Sequence, residues 1–250
     1  MGEGNTSPNK QKGLNMNFDY IKQGDCLELL KEMEDKSVDV CFTSPPYNDT
    51  GTKNEDVGNP KSGSTHKKYL HVEHRDDWYE WMVEVIDEMR RVSKKYVLFN
   101  VQGLKSVRND VYKLIGHYAP HIHDIVIWHK PNGQPTSTPH KLSNKYEFLL
   151  IIKCDGVKGV DVQSVSYNNV IYQAINKNNE YSKIHRAVMA KGFCDEVIKE
   201  FTSPNDVVLD PFFGLGTTGL SCIEQGRHYI GFEMCEEYVD VAKTRLANVC

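Results

Sequence analysis

Four residues that could take part in chemistry, Ser44-Pro45-Pro46-Tyr47, directly follow the apolar, strand-like run 37–43. Proline has no N–H donor and a fixed φ, so two prolines end the pairing of a strand. The simplest role of the pair is therefore to stop the strand. The alternative is that the prolines form a rigid platform that presents its neighbours to a ligand. The rest of the chain must decide between these two roles.

A second stretch, "DVVLDPFFGLGTTGLSCIEQGRHYIGFEM", has the pattern strand, glycine-rich turn, helix and strand. Gly214 and Gly216 would let a ligand approach the backbone closely. Glu233 ends the second strand about 20 residues after the turn, where an acid binds ribose hydroxyls. The unit therefore predicts a site for a cofactor that carries a nucleoside.

The identity of that cofactor follows from what the turn lacks and what it contains. It has neither the G-x-G-x-x-G pattern of dinucleotide sites nor the G-K-[ST] of phosphate-binding loops. Asp210 stands where a pyrophosphate would lie, and a carboxylate repels phosphate but attracts an ammonium group. S-adenosylmethionine (SAM) has an ammonium and a sulfonium group but no phosphate, so the sequence favours SAM over NAD or ATP.

Strand and helix signals alternate along most of the chain, which predicts a doubly wound, mostly parallel α/β sheet. Residues 1–17 are expected to form a disordered tail, and residues 18–250 the domain, with a long loop at 48–75. Expected strands are 18–21, 37–43, 95–101, 123–130, 145–153, 207–209 and 229–232; expected helices are 26–33, 76–93, 107–118, 185–201 and 217–225.

Composition excludes several classes of protein. No apolar stretch approaches the ~20 residues that span a bilayer, so no membrane association is expected. The seven cysteines include no close pair of the metal-binding type, so no metal site is expected. An odd number of cysteines also argues against a disulfide framework, and we expect reduced thiols in a cytoplasmic protein.

The two motifs together resemble those of a known family. "DPFFGLGTTG" followed by "GFE" resembles the SAM-binding motif of amino-group DNA methyltransferases, and "TSPPY" resembles their catalytic motif. The catalytic motif comes first, which is similar to the circularly permuted β class of these enzymes. The segments "QGDCLELL", "VIWHKPN", "YEFLLIIK" and "HRAVMAKGF" also match the family's usual places, although the family often has proline at the position of Ala190. The resemblance implies a seven-stranded, Rossmann-like SAM-methyltransferase sheet with helices on both faces.

The resemblance also implies which residues bind the cofactor. The expected cofactor-binding residues are Asp25, Cys26, Asp210, Pro211, Phe212, Gly214, Gly216, Thr217, Thr218 and Glu233. Most of those between 210 and 218 would line the methionine end of SAM, and Glu233 would hold the ribose. Asp25 lies where the family contacts adenine; the alternative, or simultaneous, role is as the N-cap of the helix that follows it.

The catalytic role implied for Ser44, Pro45, Pro46 and Tyr47 is methyl transfer to an exocyclic amine of a flipped base. The Ser44 hydroxyl and the Pro45 carbonyl would accept hydrogen bonds from the N–H groups of the amine, and Tyr47 would stack on the base. Serine at the first position is commonest in the family for N4 of cytosine, with N6 of adenine as the alternative. RNA or protein-amide methylation and an inactive DNA-binding module are more distant alternatives.

DNA is the expected partner. From His129 to Lys191 there are nine Lys or Arg residues and four acids, whereas the whole chain has a net charge of −4. The alternative is a solvated basic face. The expected DNA contacts are Lys130, Asn132, Lys141, Lys145, Lys183 and Arg186, beside a short target-recognition insert at about 154–184. For Lys130 the alternative is a place at the edge of the core. A cognate restriction endonuclease is a further candidate partner, and either a monomer or a homodimer is expected.

Overall fold

The computed structural model describes residues 18–47, 75–133, 142–175, 181, 184–185 and 187–249, and contains eight strands and six helices within them. In chain order they are β1 (Tyr20–Gln23), α1 (Cys26–Lys31), β2 (Val38–Thr43), α2 (Trp78–Val92), β3 (Ser93–Val101), α3 (Arg108–Tyr118), β4 (Ile122–His129), β5 (Tyr146–Lys153), β6 (Val170–Tyr172), α4 (Lys191–Phe201), β7 (Val207–Asp210), α5 (Thr217–Glu224), β8 (His228–Glu233) and α6 (Glu236–Ala247).

The strands form one sheet in the order β1-β8-β7-β2-β3-β5-β4-β6. All neighbours are parallel except β5, which is antiparallel to both β3 and β4. From β7 the chain continues to β8 on one side, and from β2 it continues to β3 on the other. The β2–β7 pair is therefore the topological switch point, where ligands bind in sheets of this kind. The predicted doubly wound, mostly parallel sheet is confirmed.

Helices cover both faces of the sheet. On one face α1, α2 and α3 bury a large apolar cluster, to which α2 contributes Trp78, Met82, Val85, Ile86, Met89 and Val92. These six residues recur at helical spacing, which is why this segment forms a helix with one apolar side. On the other face α4, α5 and α6 pack against residues such as Val208 and Phe42.

Two predictions about secondary structure are wrong. The sheet has an eighth strand, because the short run Val170–Tyr172 inside the predicted insert pairs in parallel with the end of β4. The helix predicted for 185–201 begins only at Lys191. The residues before it, including His185 and Met189, line a cavity instead, so tertiary contacts override the helical pattern. Ala190 has φ −67°, which is the value that proline would fix, so the family's usual residue is compatible with this backbone.

Among the described residues, no helix is both long and apolar enough to cross a membrane. The six cysteines in this part of the chain are free thiols, and all are buried. The predicted tail at 1–17 and nearly all of the predicted loop at 48–75 lie outside the described residues.

Candidate active site

A cavity of about 500 Å³ opens at the carboxyl ends of β2, β7 and β8, at the switch point of the sheet. This volume lies in the range of small-molecule sites, ~300–1,000 Å³. The cavity brings together residues that are remote in sequence. The predicted site residues that line it are Asp25, Cys26, Ser44, Pro45, Pro46, Tyr47, Asp210, Pro211, Phe212, Gly214, Thr217, Thr218 and Glu233.

Asp210 links the two motifs. One of its carboxylate oxygens accepts from the Thr43 hydroxyl at 2.5 Å and from the Phe212 amide at 3.0 Å; the other accepts from the Thr218 hydroxyl at 2.6 Å. Burial raises the pKa of Asp210 to about 6, although these hydrogen bonds oppose the rise. A carboxylate offers about four acceptor positions. The described residues occupy three of them in Asp210, which leaves one for a ligand. The link through Thr43 holds the ends of β2 and β7 in a fixed relation.

The glycine-rich turn divides its glycines between two roles. Gly214 has φ +51°, and a Cβ there would meet nothing within 4 Å, so this residue leaves the cavity open beside the backbone. Gly216 does not line the cavity: a Cβ there would lie 3.2 Å from both Phe213 and Ala242. On its side-chain side, Gly216 therefore makes room for packing within the protein, and its role in cofactor binding stays a prediction. The Phe213 ring also requires Gly231, whose Cβ would lie 2.4 Å from it.

Two acids stand at the other end of the cavity. Glu233, the last residue of β8, accepts from the Gly214 amide at 2.8 Å and from the Cys235 amide at 2.9 Å, which fixes its carboxylate beside the turn. Asp25 accepts from the amides of Leu27 and Glu28 at 2.9 and 3.1 Å, as an N-cap. The N-cap role of Asp25 is therefore confirmed, whereas its contact with adenine stays a prediction.

The Ser44-to-Tyr47 platform is held from two sides. The indole N–H of Trp78, in the first turn of α2, donates to the Pro46 carbonyl at 3.0 Å. The Tyr47 hydroxyl accepts from the Gln102 amide, just beyond β3, at 2.7 Å. Trp78 belongs to α2 and Gln102 directly follows β3, so the segment is tied to two elements that pack in the core. The indole of Trp78 is buried against the core, as its place on the apolar side of α2 predicts.

Three further residues that line the cavity, Arg75, Trp81 and His185, belong to neither of the two sequence motifs. The guanidinium of Arg75 lies 4.4 Å from the ring centre of Trp81, and Trp81 meets Phe212 edge to face at 5.7 Å. His185 also lines the cavity, and burial lowers its pKa to about 4, so its ring is neutral near neutral pH. The conspicuous tryptophan pair in α2 was the available signal for Trp81. His185 carried only the resemblance of its segment to the family.

Of the six residues expected to contact DNA, the structure describes three. Lys130 is buried, and its ammonium pairs with Glu147 at 2.7 Å, so its predicted exposure to phosphate is wrong. Asn132 both donates to and accepts from the backbone of Ile175, which makes it a structural tie. The Lys145 ammonium donates to the Gly133 carbonyl at 2.6 Å, and its side chain is half-buried. The other three predicted contacts lie outside the described residues: Lys141, Lys183 and Arg186.

The chain is thus an α/β protein whose doubly wound sheet carries a cavity at its switch point, lined by both sequence motifs. A family model described as DNA methylase, of the N6 and N4 kind, matches residues 38–244. The chain therefore belongs to the N6/N4 DNA methylase family, and its motif order is the permuted one.

Comparison with individual proteins agrees with this assignment. The chain is 28% identical over 263 residues to the type II methyltransferase M.HinfI of Haemophilus influenzae, covering 96% of this chain and 71% of that protein. It is 25% identical over 259 residues to M.BglII of Bacillus subtilis, covering 89% and 67%. The fold is similar to PvuII DNA methyltransferase (cytosine-N4-specific), with a TM-score of 0.68, 18% identity, and 93% and 91% of the two chains covered. It is also similar to an M1.HpyAVI–SAM complex, with a TM-score of 0.65, 21% identity, and 90% and 98% covered.

Proposed function

We propose that this DNA methylase is site-specific and transfers a methyl group from SAM to N4 of a flipped cytosine. The single observation that carries the proposal is the shared cavity: the Ser44-to-Tyr47 platform and the turn at 210–218 line one space. Neither motif would be decisive alone, because a glycine-rich turn can serve packing and two prolines can stop a strand. Their convergence at a switch point favours a two-substrate site.

The cavity residues fit SAM. Gly214 leaves open space beside the turn, and the fixed carboxylate of Glu233 matches a ribose diol. Asp210 has an acceptor position left for the ammonium group, and no phosphate-binding pattern is present in the turn. SAM, when bound, supplies an electrophilic methyl group on a positively charged sulfur. The structural similarity to the M1.HpyAVI–SAM complex supports this cofactor.

The platform residues would act on the amine. The Ser44 hydroxyl and the Pro45 carbonyl accept hydrogen bonds from the two N–H groups of the amine. These contacts draw the nitrogen towards tetrahedral geometry, which frees its lone pair. The Pro46 carbonyl already accepts from Trp78, so it holds the platform in place instead. With SAM bound, the nitrogen would attack the methyl carbon as the carbon–sulfur bond breaks, and one amine proton would leave to solvent. Fixed acceptors save several kcal/mol of ordering at this step.

Tyr47 would hold the base while the amine reacts. Its hydroxyl is bonded to the Gln102 amide, so the ring has a set orientation at the cavity wall. Stacking worth ~1–3 kcal/mol would offset much of the few kcal/mol needed to flip a base. Serine at position 44 favours cytosine over adenine, and N6 of adenine remains the second candidate. The likeness to two type II methyltransferases supports a cognate restriction endonuclease as a partner.

The test is methylation of DNA, RNA and protein with tritiated SAM, followed by mass spectrometry of the digested product. N4-methylcytosine in DNA is expected, and N6-methyladenine alone would overturn the assignment of the base.

Ser44→Ala should reduce turnover strongly while SAM binding, measured by calorimetry, is retained. The matched control is Ser203→Ala, a half-buried serine before β7 and outside the cavity lining, which should leave turnover unchanged. Full turnover in both Ser44→Ala and Tyr47→Ala would refute the platform mechanism.

A further inference from the structure

Three ring-bearing residues stand side by side at one edge of the sheet. His129 is the last residue of β4, and it is directly opposite Tyr146 on β5 and Tyr172 on β6. Residues opposite one another in a sheet project from the same face, so the three rings form a line across three strands. We call Tyr146, His129 and Tyr172 the aromatic row.

The row is poorly covered by the rest of the described protein. Tyr172 is 70% exposed and Tyr146 is 46% exposed, whereas most tyrosines of the fold pack in the core. The ring centres of His129 and Tyr172 lie 5.2 Å apart, so the exposed ring rests on the half-buried one. Within the described residues, the buried Nδ1 of His129 has no hydrogen-bond partner. Large rings held in a line and left exposed are typical of a binding surface rather than of a core.

The aromatic row lies at the same edge of the sheet as the candidate active site. β4 and β6 run parallel to β2, so their last residues lie at the edge where Ser44 follows β2; β5 runs the opposite way, so its first residue lies there too. From β2 the row begins two strands away and ends four strands away. At ~4.8 Å per strand, this is about 10 to 19 Å from the platform. For a duplex lying along this edge, with ~3.4 Å per base step, the row would meet the DNA about three to six steps from the flipped base.

The charges beside the aromatic row suit a polyanion. Lys145 precedes Tyr146, and its side chain is half-buried. Its ammonium, which has three donors, contacts the carbonyls of Gly133 and Pro131 at 2.6 and 3.5 Å, so a phosphate can take the third. The acid that follows Tyr146, Glu147, is paired with Lys130 at 2.7 Å and is largely buried, so it does not offset the positive charge of Lys145.

We propose that the aromatic row, with Lys145, is the surface that holds the DNA flanking the target base. Tyrosine hydroxyls donate to phosphate oxygens and their rings pack on sugars, contacts that fix the register of the protein on a duplex. The row therefore sets how the duplex lies so that the target base reaches the platform. The inference rests on the proposed function, because it requires DNA as the substrate.

The test compares the DNA affinity of the full chain with that of the double variant Tyr146→Ala/Tyr172→Ala. The probe is a duplex oligonucleotide carrying the site that sequencing finds methylated in the DNA of an expressing host. At fixed salt, loss of two contacts to charged groups should weaken binding about tenfold or more, with SAM affinity unchanged. The matched control is Tyr112→Ala, since this tyrosine is 53% exposed but lies on α3 outside the row, and its DNA affinity should not change.

Shortening the probe separates a local contact from a general effect. A duplex cut to two base pairs on each side of the target should abolish the difference between the double variant and the full chain. Equal affinity of the two proteins on the long probe, with normal methylation by the full chain, would overturn the role of the row and leave the proposed function intact. Failure of the full chain to bind or methylate any DNA would overturn both.

Discussion

Replacing Thr43 by valine tests the link between the two motifs. The substitution keeps the shape of the side chain and removes the hydroxyl that donates to Asp210 at 2.5 Å. Both residues are buried, so water cannot replace the lost donor. Burial already raises the pKa of Asp210 to about 6, and the hydrogen bond from Thr43 is one of the contacts that limit the rise. The pKa should therefore rise further in the variant.

The size of the effect follows from the hydrogen bond. A bond to a charged group contributes about 1.5–3 kcal/mol, and 1.36 kcal/mol corresponds to one pKa unit. The pKa of Asp210 should rise by about one to two units, so its ionised fraction at pH 7 falls from about nine-tenths to between a half and a tenth. If SAM's ammonium needs the carboxylate, affinity at pH 7 falls about two- to tenfold and recovers as the pH rises towards 9.

The assay is calorimetry of SAM binding between pH 6 and pH 9 with three proteins: the full chain, Thr43→Val, and Thr43→Ser as the control that retains a hydroxyl. The valine profile should be displaced to higher pH, and the serine profile should stay close to that of the full chain. An equal loss of affinity at every pH would refute the reasoning, because it would mean that Thr43 acts through packing alone. If SAM affinity were unchanged at every pH, the Asp210 carboxylate would have no role in cofactor binding.

Three further changes have defined outcomes. Trp78→Phe keeps most of the buried ring but removes the donor to Pro46, so kcat should fall about fivefold with SAM affinity unchanged; an unaltered kcat would exclude a positioning role. Lys130→Met leaves the buried carboxylate of Glu147 unpaired and should lower the free energy of unfolding in urea by about 3–5 kcal/mol, whereas a stable variant with weakened DNA binding would restore the sequence prediction. Asp210→Asn removes a group whose pKa is raised from 3.8 to about 6, so the native protein binds the extra proton and loses stability as the pH rises through this range. Urea titrations should therefore show the variant gaining roughly 3 kcal/mol relative to the full chain between pH 4 and pH 7, and a constant difference would contradict the raised pKa.

The sequence by itself determined the class of fold, the two motifs and their order. Apolar periodicity is local, so the alternation of strands and helices could be followed along the chain, and Asp210, Gly214 and Glu233 carried their chemistry in their types and spacing. The limits were also local: the pattern at 185–201 extended a helix into residues that line the cavity, and a three-residue strand at Val170–Tyr172 has too little pattern to be recognised.

Tertiary structure decided which groups meet. Gly216 and Gly214 are equivalent in the sequence, but only packing against Phe213 and Ala242 makes one structural and leaves the other open to the cavity. Lys130 is a basic residue in a basic segment, yet a partner 17 residues away buries its charge. Burial, pairing and pKa depend on atoms brought together from distant parts of the chain, so the sequence can supply the functional groups, while only the fold determines which of them remain available to a ligand.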